Sequence, residues 1–289
     1  MRLDSLPAGS LALIIDSHQH FWLFNPARDG WISDDMEAIR RDFLPQDLLP
    51  ELRQNRVDGT IAVQADQSEQ ETMFLLELAA QHEFIRGVVG WVDLCSERLP
   101  ERLQFFSQFA KLRGLRHVVQ SEPDDRFMLR TDFVRGIGEL QAFGFTYDIL
   151  IYARQLPEAI ELAGKFPRQK FVLDHIAKPA IKAREIAGWE RDIRELAKAA
   201  NVWCKLSGMI TEADWRNWRP GDLKPYLEVV FDCFGDDRLM FGSDWPVCLL
   251  AGSYGRVKEV IAKYTEALPH SEKSNIFGYN AARFYGLAT

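Results

Sequence analysis

The strongest constraint in this chain is an alternation. Short apolar and β-branched runs recur at 13–15, 60–63, 88–92, 115–119, 146–151, 171–173, 202–206 and 239–241. Between them lie stretches of helical period at 46–56, 71–82, 101–112, 133–143, 156–165, 189–199 and 223–234, with apolar residues three and four apart, as in Phe74, Leu75, Leu78 and Ala79. Parallel strands need a crossover connection, usually a helix, so strand–helix alternation predicts a parallel sheet. Some eight such units in 289 residues predict one α/β domain, 1–289, folded as a (β/α)8 TIM barrel. The main rival is a doubly wound open sheet. No G-x-G-x-x-G follows the first run, which weakens its dinucleotide-binding form. The segment 24–43 reads as a long loop after the first strand, placed to cover an active site, and 274–285 as a last helix at the barrel edge.

Charge and cysteine content narrow the function classes. Thirty-five Lys and Arg against 42 Asp and Glu leave a net charge of −7. That balance supports no nucleic-acid partner and no anionic membrane surface. The apolar run 11–15 stops at Asp16, too short for an export signal or for a span of about 20 residues. Cys95, Cys204, Cys233 and Cys248 are scattered and form no C-x-x-C, so neither a disulfide framework nor a structural zinc site is expected. A cytoplasmic location is the expectation.

The chemistry gathers at strand ends. In a barrel the active site is built from the C-terminal ends of the strands. His18 and His20 are two apart and therefore share a face, where two imidazoles can bind a metal or act on a carbonyl oxygen. Gln64 ends the second strand, Arg116 and His117 lie on the fourth, Asp174 and His175 end the sixth, Lys205 and Ser207 the seventh, and Asp244 the eighth. Arg116 and His117 point to opposite faces, so one of them reaches the site. Trp22, Trp31 and Trp245 can stack on the apolar face of a sugar ring or pack the barrel rim.

In order along nearly the whole chain, IDSHQHFW, LDHIAKP, CKLSG and FGSDWPV resemble the amidohydrolase superfamily, specifically its "amidohydrolase 2" branch. GLRHVVQ and RLMFGSDWPVCLLAGSY are most similar to its L-fuconolactonase type, beside which stand L-rhamnonolactonases and 2-pyrone-4,6-dicarboxylate lactonases. The resemblance implies a somewhat distorted barrel with extended loops and the hydrolysis of a sugar lactone. It implies catalytic roles for Asp244 as general base and for His18, His20 and His175, and a substrate contact for Arg116. Trp22, Trp31, Gln64 and Lys205 complete the expected substrate-binding set. Binuclear members carry a bridging Lys or Glu on the fourth strand and a His on the fifth, and neither slot matches here. The implied enzyme needs no cofactor; a single zinc on His18, His20 and Asp244 is the metal-bound alternative. Burial at the barrel mouth is expected to raise the Asp244 pKa and make it a better base. Alternative readings are a lactonase for a dicarboxylate lactone, served by Arg116, Arg126, Arg130 and Lys205, a metal-dependent decarboxylase, and a catalytically silent binding barrel.

Overall fold

The computed structural model describes residues 13–288. Leu11 and Ala12 of the first apolar run lie outside the described residues.

Eight strands run parallel in sequence order: β1 Ile15–Gln19, β2 Gly59–Val63, β3 Ile85–Gly90, β4 Leu112–His117, β5 Thr146–Ile149, β6 Phe171–Leu173, β7 Val202–Leu206 and β8 Leu239–Phe241. Helices alternate with them: α1 Pro45–Gln54, α2 Glu69–Gln81, α3 Leu99–Phe106, α4 Thr131–Leu140, α5 Leu156–Lys165, α6 Ala187–Leu196, α7 Pro220–Phe234 and α8 Tyr254–Tyr264. This is the expected (β/α)8 barrel. Its distortion sits at the seam between β8 and β1, where no regular ladder forms. There Asp244 N–H donates to His18 O at 2.8 Å, and His20 N–H to Trp245 O at 2.7 Å. Asp16 ties the same seam, accepting from Ser243 N and Oγ at 2.9 and 2.6 Å and from Tyr254 Oη at 3.0 Å.

Three strands are shifted by three residues or more at one end, while β5 ends two residues earlier than expected, at Ile149, and β2 begins one earlier, at Gly59. β1 begins and ends later than 13–15, so Asp16, Ser17 and His18 belong to the strand. β3 and β4 begin three residues earlier than 88–92 and 115–119. Glycines hide these starts, because Gly has low strand propensity. Here it answers a tertiary demand: a Cβ on Gly114 would lie 2.3 Å from Thr146 Oγ1, and one on Gly87 2.9 Å from Arg113 Cγ.

The end of the chain corrects a second expectation. Rather than flanking the barrel edge, it runs through α9 (His270–Ser274) and a π-helical turn (Asn275–Tyr279) into α10 (Asn280–Tyr285). Ala281, Phe284 and Tyr285 of α10 pack on Ile15, Ile61, Val63, Val89, Val172 and Met240 of the strands. The helix therefore closes the N-terminal end of the barrel with apolar side chains, which leaves the C-terminal end for polar ones. No described helix is long and apolar enough to cross a membrane.

Candidate active site

A cavity of about 280 Å³ opens at the C-terminal end of the barrel. His20, Arg116, His175 and Asp244 line it from the strand ends; Arg28, Trp31 and Lys178 line it from the loops. The segment after β1 does reach over the mouth, as its length suggested, through Arg28, Asp29 and Trp31.

The imidazoles and the carboxylate converge. His20 Nδ1–H donates to Val63 O at 2.7 Å, so in the neutral ring Nε2 carries the lone pair. That Nε2 faces His18 Nε2 at 3.1 Å and Asp244 Oδ1 at 3.4 Å. Asp244 Oδ1 also lies 3.8 Å from His18 Nε2 and 3.9 Å from His175 Nε2. Asp244 sits at φ +57°, a left-handed conformation uncommon outside glycine. His175 opens a run of four left-handed residues through Lys178, with φ from +46° to +60°. Its Nδ1 meets Ser207 Oγ at 2.9 Å, and its ring presses on Gly208 so closely that a Cβ there would lie 2.5 Å from Nδ1.

Beneath this floor lies a layer of charge. Arg116 Nη1 donates to Asp174 Oδ2 at 3.0 Å and stands 3.3 Å from His18 Nε2. Its Nη2 bonds the Gln64 backbone carbonyl and Gln64 Oε1. Lys205 Nζ is wholly buried among Asp148 Oδ2 at 2.5 Å, Asp174 Oδ1 at 2.9 Å and His18 Nδ1 at 3.1 Å. From α10, Tyr285 Oη donates to the same Asp148 Oδ2 at 2.8 Å.

These surroundings set the charge states. Burial drives the His175 pKa down to about 4 against the pull of Asp244, and drives that of His18 well below its usual value against Asp174. Both rings are therefore neutral at pH 7. Burial works against the Asp174 charge, but Lys205, His18 and Arg116 outweigh it and hold that carboxyl well below the usual range. Asp244 corrects an expectation. Burial alone would raise it, but His175, His20 and His18 reverse the balance and hold it below its ordinary value. The carboxylate is therefore ionised at pH 7.

The donor set also fits one divalent ion. Four ligands around zinc at 2.0–2.1 Å stand about 3.3 Å apart. The separations among His18 Nε2, His20 Nε2 and Asp244 Oδ1 are 3.1, 3.4 and 3.8 Å. A second group, His18, Asp174 and His175, also lies close together. Its carboxylate, however, is already bonded to Arg116 and ion-paired with Lys205.

Not every expected residue reaches the cavity wall. Arg116 does; His117 turns outward, bonded to Glu122 at 2.6 Å and stacked on Phe127. Trp31 stands at the mouth, 44% exposed. Trp22 is wholly buried against Phe43, with its Nε1–H on Arg41 O, and Trp245 packs on Phe21 and Phe43. Gln64 and His18 are fully buried, and Lys205 lies below the floor. Gln64 and Lys205 therefore brace Arg116 and His18 rather than meet a substrate. Arg126 and Arg130 pair with Glu158 and Asp132 and do not line the cavity. Sequence reasoning missed Arg28, Asp29 and Lys178. The signal for Lys178 was present, three residues after His175 in LDHIAKP.

The sequence profile of the amidohydrolase family matches residues 15–287. An L-fucono-1,5-lactonase of Burkholderia multivorans is 44% identical over 96% of this chain and 97% of its own length. An L-fucono-1,5-lactonase of Burkholderia ambifaria is 38% identical over 94% of each chain. The crystal structure of a Burkholderia multivorans amidohydrolase with bound zinc superposes with a TM-score of 0.92, at 44% identity, over 96% of this chain and 100% of that one.

Proposed function

The chain belongs to the amidohydrolase family, and from that premise we propose that it hydrolyses a neutral sugar lactone, of the L-fucono-1,5-lactone kind, to the open-chain aldonic acid. The observation that carries this reading is the convergence of Asp244, His20, His175 and Arg116 on one small cavity. Its cations are balanced. Arg28 is bonded to Asp29 at 2.7 Å, Arg116 to Asp174 at 3.0 Å, and Lys178 is ion-paired with Glu212 at 3.9 Å. A dicarboxylate lactone calls for free convergent cations. A polyol lactone is served by charge pairs that donate to and accept from hydroxyl groups.

Each residue has a role in that reaction. The Asp244 carboxylate accepts a proton from water, which His20 Nε2 helps to orient, and the water oxygen attacks the lactone carbonyl. Arg116 and the Nε2–H of His175 face the developing oxyanion. His18, buried behind them, holds His20 and Asp244 in place. Trp31 offers a face to the sugar ring. Base and oxyanion donors supply about 10²–10⁴-fold and 10²–10³-fold respectively. A lactone expels an alkoxide, a much better leaving group than the nitrogen anion of an amide, so the barrier is lower than in amide hydrolysis and the reaction does not call for a metal. An ion held by His18, His20 and Asp244 would add Lewis-acid polarisation and a lower pKa for bound water.

A panel of aldonolactones with a pH indicator, run with and without chelator, tests this. L-Fucono-1,5-lactone should be opened, at a rate the chelator leaves unchanged. A wild-type protein that opens no lactone sinks the reading. Loss on chelation, restored by zinc, overturns the metal-independent part alone. Metal analysis of the purified protein, with a benzoate panel, separates the decarboxylase alternative.

A further inference from the structure

We propose that Lys178 is a catalytic residue of this site, its ammonium donating the proton that the ring oxygen takes up as the lactone C–O bond breaks. This rests on the lactonase reading and deepens it by naming the group that serves the leaving oxygen.

Backbone strain points to Lys178 first. His175, Ile176, Ala177 and Lys178 have φ of +53°, +49°, +60° and +46°, and none is glycine. Each residue costs energy in that region, and such strain persists where the surroundings over-determine it, most often at functional sites. The run closes with Lys178 N–H on His175 O at 2.8 Å. Residues three apart in a coil of about three residues per turn share a face. Both side chains accordingly line the cavity with Asp244.

Freedom from hydrogen bonds points to it next. Of the three cationic Lys and Arg side chains on the wall, Arg28 and Arg116 are hydrogen-bonded to carboxylates. Guanidinium groups also hold their protons too tightly to act as acids. Lys178 has no side-chain hydrogen bond among the described residues. Its Nζ lies 3.9 Å from Glu212 Oε1 and 5.8 Å from the centre of the Tyr152 ring. At that distance Glu212 pairs with the ammonium without a hydrogen bond to fix its direction. His20 Nε2 is turned to Asp244 at 3.4 Å and the attacking water, and His175 faces the oxyanion, so neither serves the departing oxygen.

The step balances. Water gives one proton to Asp244 and its oxygen to the carbonyl carbon. The tetrahedral intermediate collapses, the ring C–O bond breaks, and its electron pair stays on the ring oxygen. That oxygen takes a proton from Lys178. The proton on Asp244 returns through solvent to the lysine amine, and the product is the hydroxy acid.

Lys178→Met and Lys178→Arg test the assignment, assayed on L-fucono-1,5-lactone and on the aryl lactone dihydrocoumarin, whose phenolate leaves without protonation. Melting temperatures matched to wild type establish folding; Lys178→Arg keeps the charge and serves if the methionine variant misfolds. On the sugar lactone both variants should lose about a hundredfold or more in kcat, with KM within about threefold. On the aryl lactone the loss should stay under about threefold. A retained kcat, a loss carried by KM alone, or equal losses on both substrates overturns the proposal. If the wild type ignores the aryl lactone, the split between kcat and KM on the sugar lactone decides. A wild type that opens no sugar lactone defeats the lactonase reading instead.

Discussion

The two halves of the barrel interior obey different physics. The lower half is filled by Ile15, Ile61, Val63, Val89, Val172 and Met240, closed by Phe284 and Tyr285 of α10. The upper half holds Arg116, Asp148, Asp174, Lys205 and His18, all nearly or wholly removed from solvent. Each apolar chain below contributes about 1.5–3 kcal/mol by leaving water, whatever its exact neighbour. Each charge above loses hydration and recovers it only if its partners stand in place. The lower half gives stability that tolerates repacking. The upper half gives direction: Lys205 and Asp174 orient His18, and Gln64 and Asp174 orient Arg116. Tyr285 joins the two, packing among the apolar side chains while its hydroxyl meets Asp148.

Substitutions should separate these behaviours. The largest effect is expected at the top: Asp244→Asn should cut kcat by about a thousandfold or more with an unchanged circular dichroism spectrum. Near-wild-type turnover would end its assignment as the base. Lys205→Met should cost about 3–5 kcal/mol in urea unfolding, because Asp148 and Asp174 lose their shared cation. Adding Asp148→Asn should return part of that loss; if the double variant is the sum of the singles, the buried pair is not coupled.

At the upper rim, burial raises the Glu71 pKa to about 7, opposed by its hydrogen bond from Ala65 N and by Arg28. Its unfolded value is near 4.5, so between the two the native state binds more protons. Stability should therefore fall by about 1–3 kcal/mol as pH rises from 4.5 to 7. Glu71→Gln should flatten that slope, and an unchanged slope would assign it to other groups. The smallest effect is expected below: Ile61→Val should cost about 0.5–1.5 kcal/mol and leave kcat within about twofold. A large loss of activity there would mean that the halves are not separable.

The comparison also explains what could be read in advance. Alternation set the barrel, because parallel pairing and helical crossovers follow from period alone. Strand ends pointed to Arg116, His175 and Asp244, because a barrel works at one face. Lys205 illustrates the limit. Its place at the end of VWCKL suggested a substrate contact, but the inward face of β7 carries it beneath the floor, where two carboxylates hold it. Trp22 was equally ambiguous between stacking on a sugar and packing a rim, and Phe43 and the Arg41 carbonyl claim it.

By itself, then, the sequence determined the architecture and the polar end of the barrel, since both depend on periodicity and on order along the chain. Tertiary structure alone decided which polar side chains meet the cavity and which brace it from behind. It also decided that Asp244 stays ionised rather than being raised by burial. The physical reason is that a pKa and a line of sight depend on neighbours distant in sequence: the imidazole that meets Asp244 at 3.4 Å is His20, from the other end of the chain.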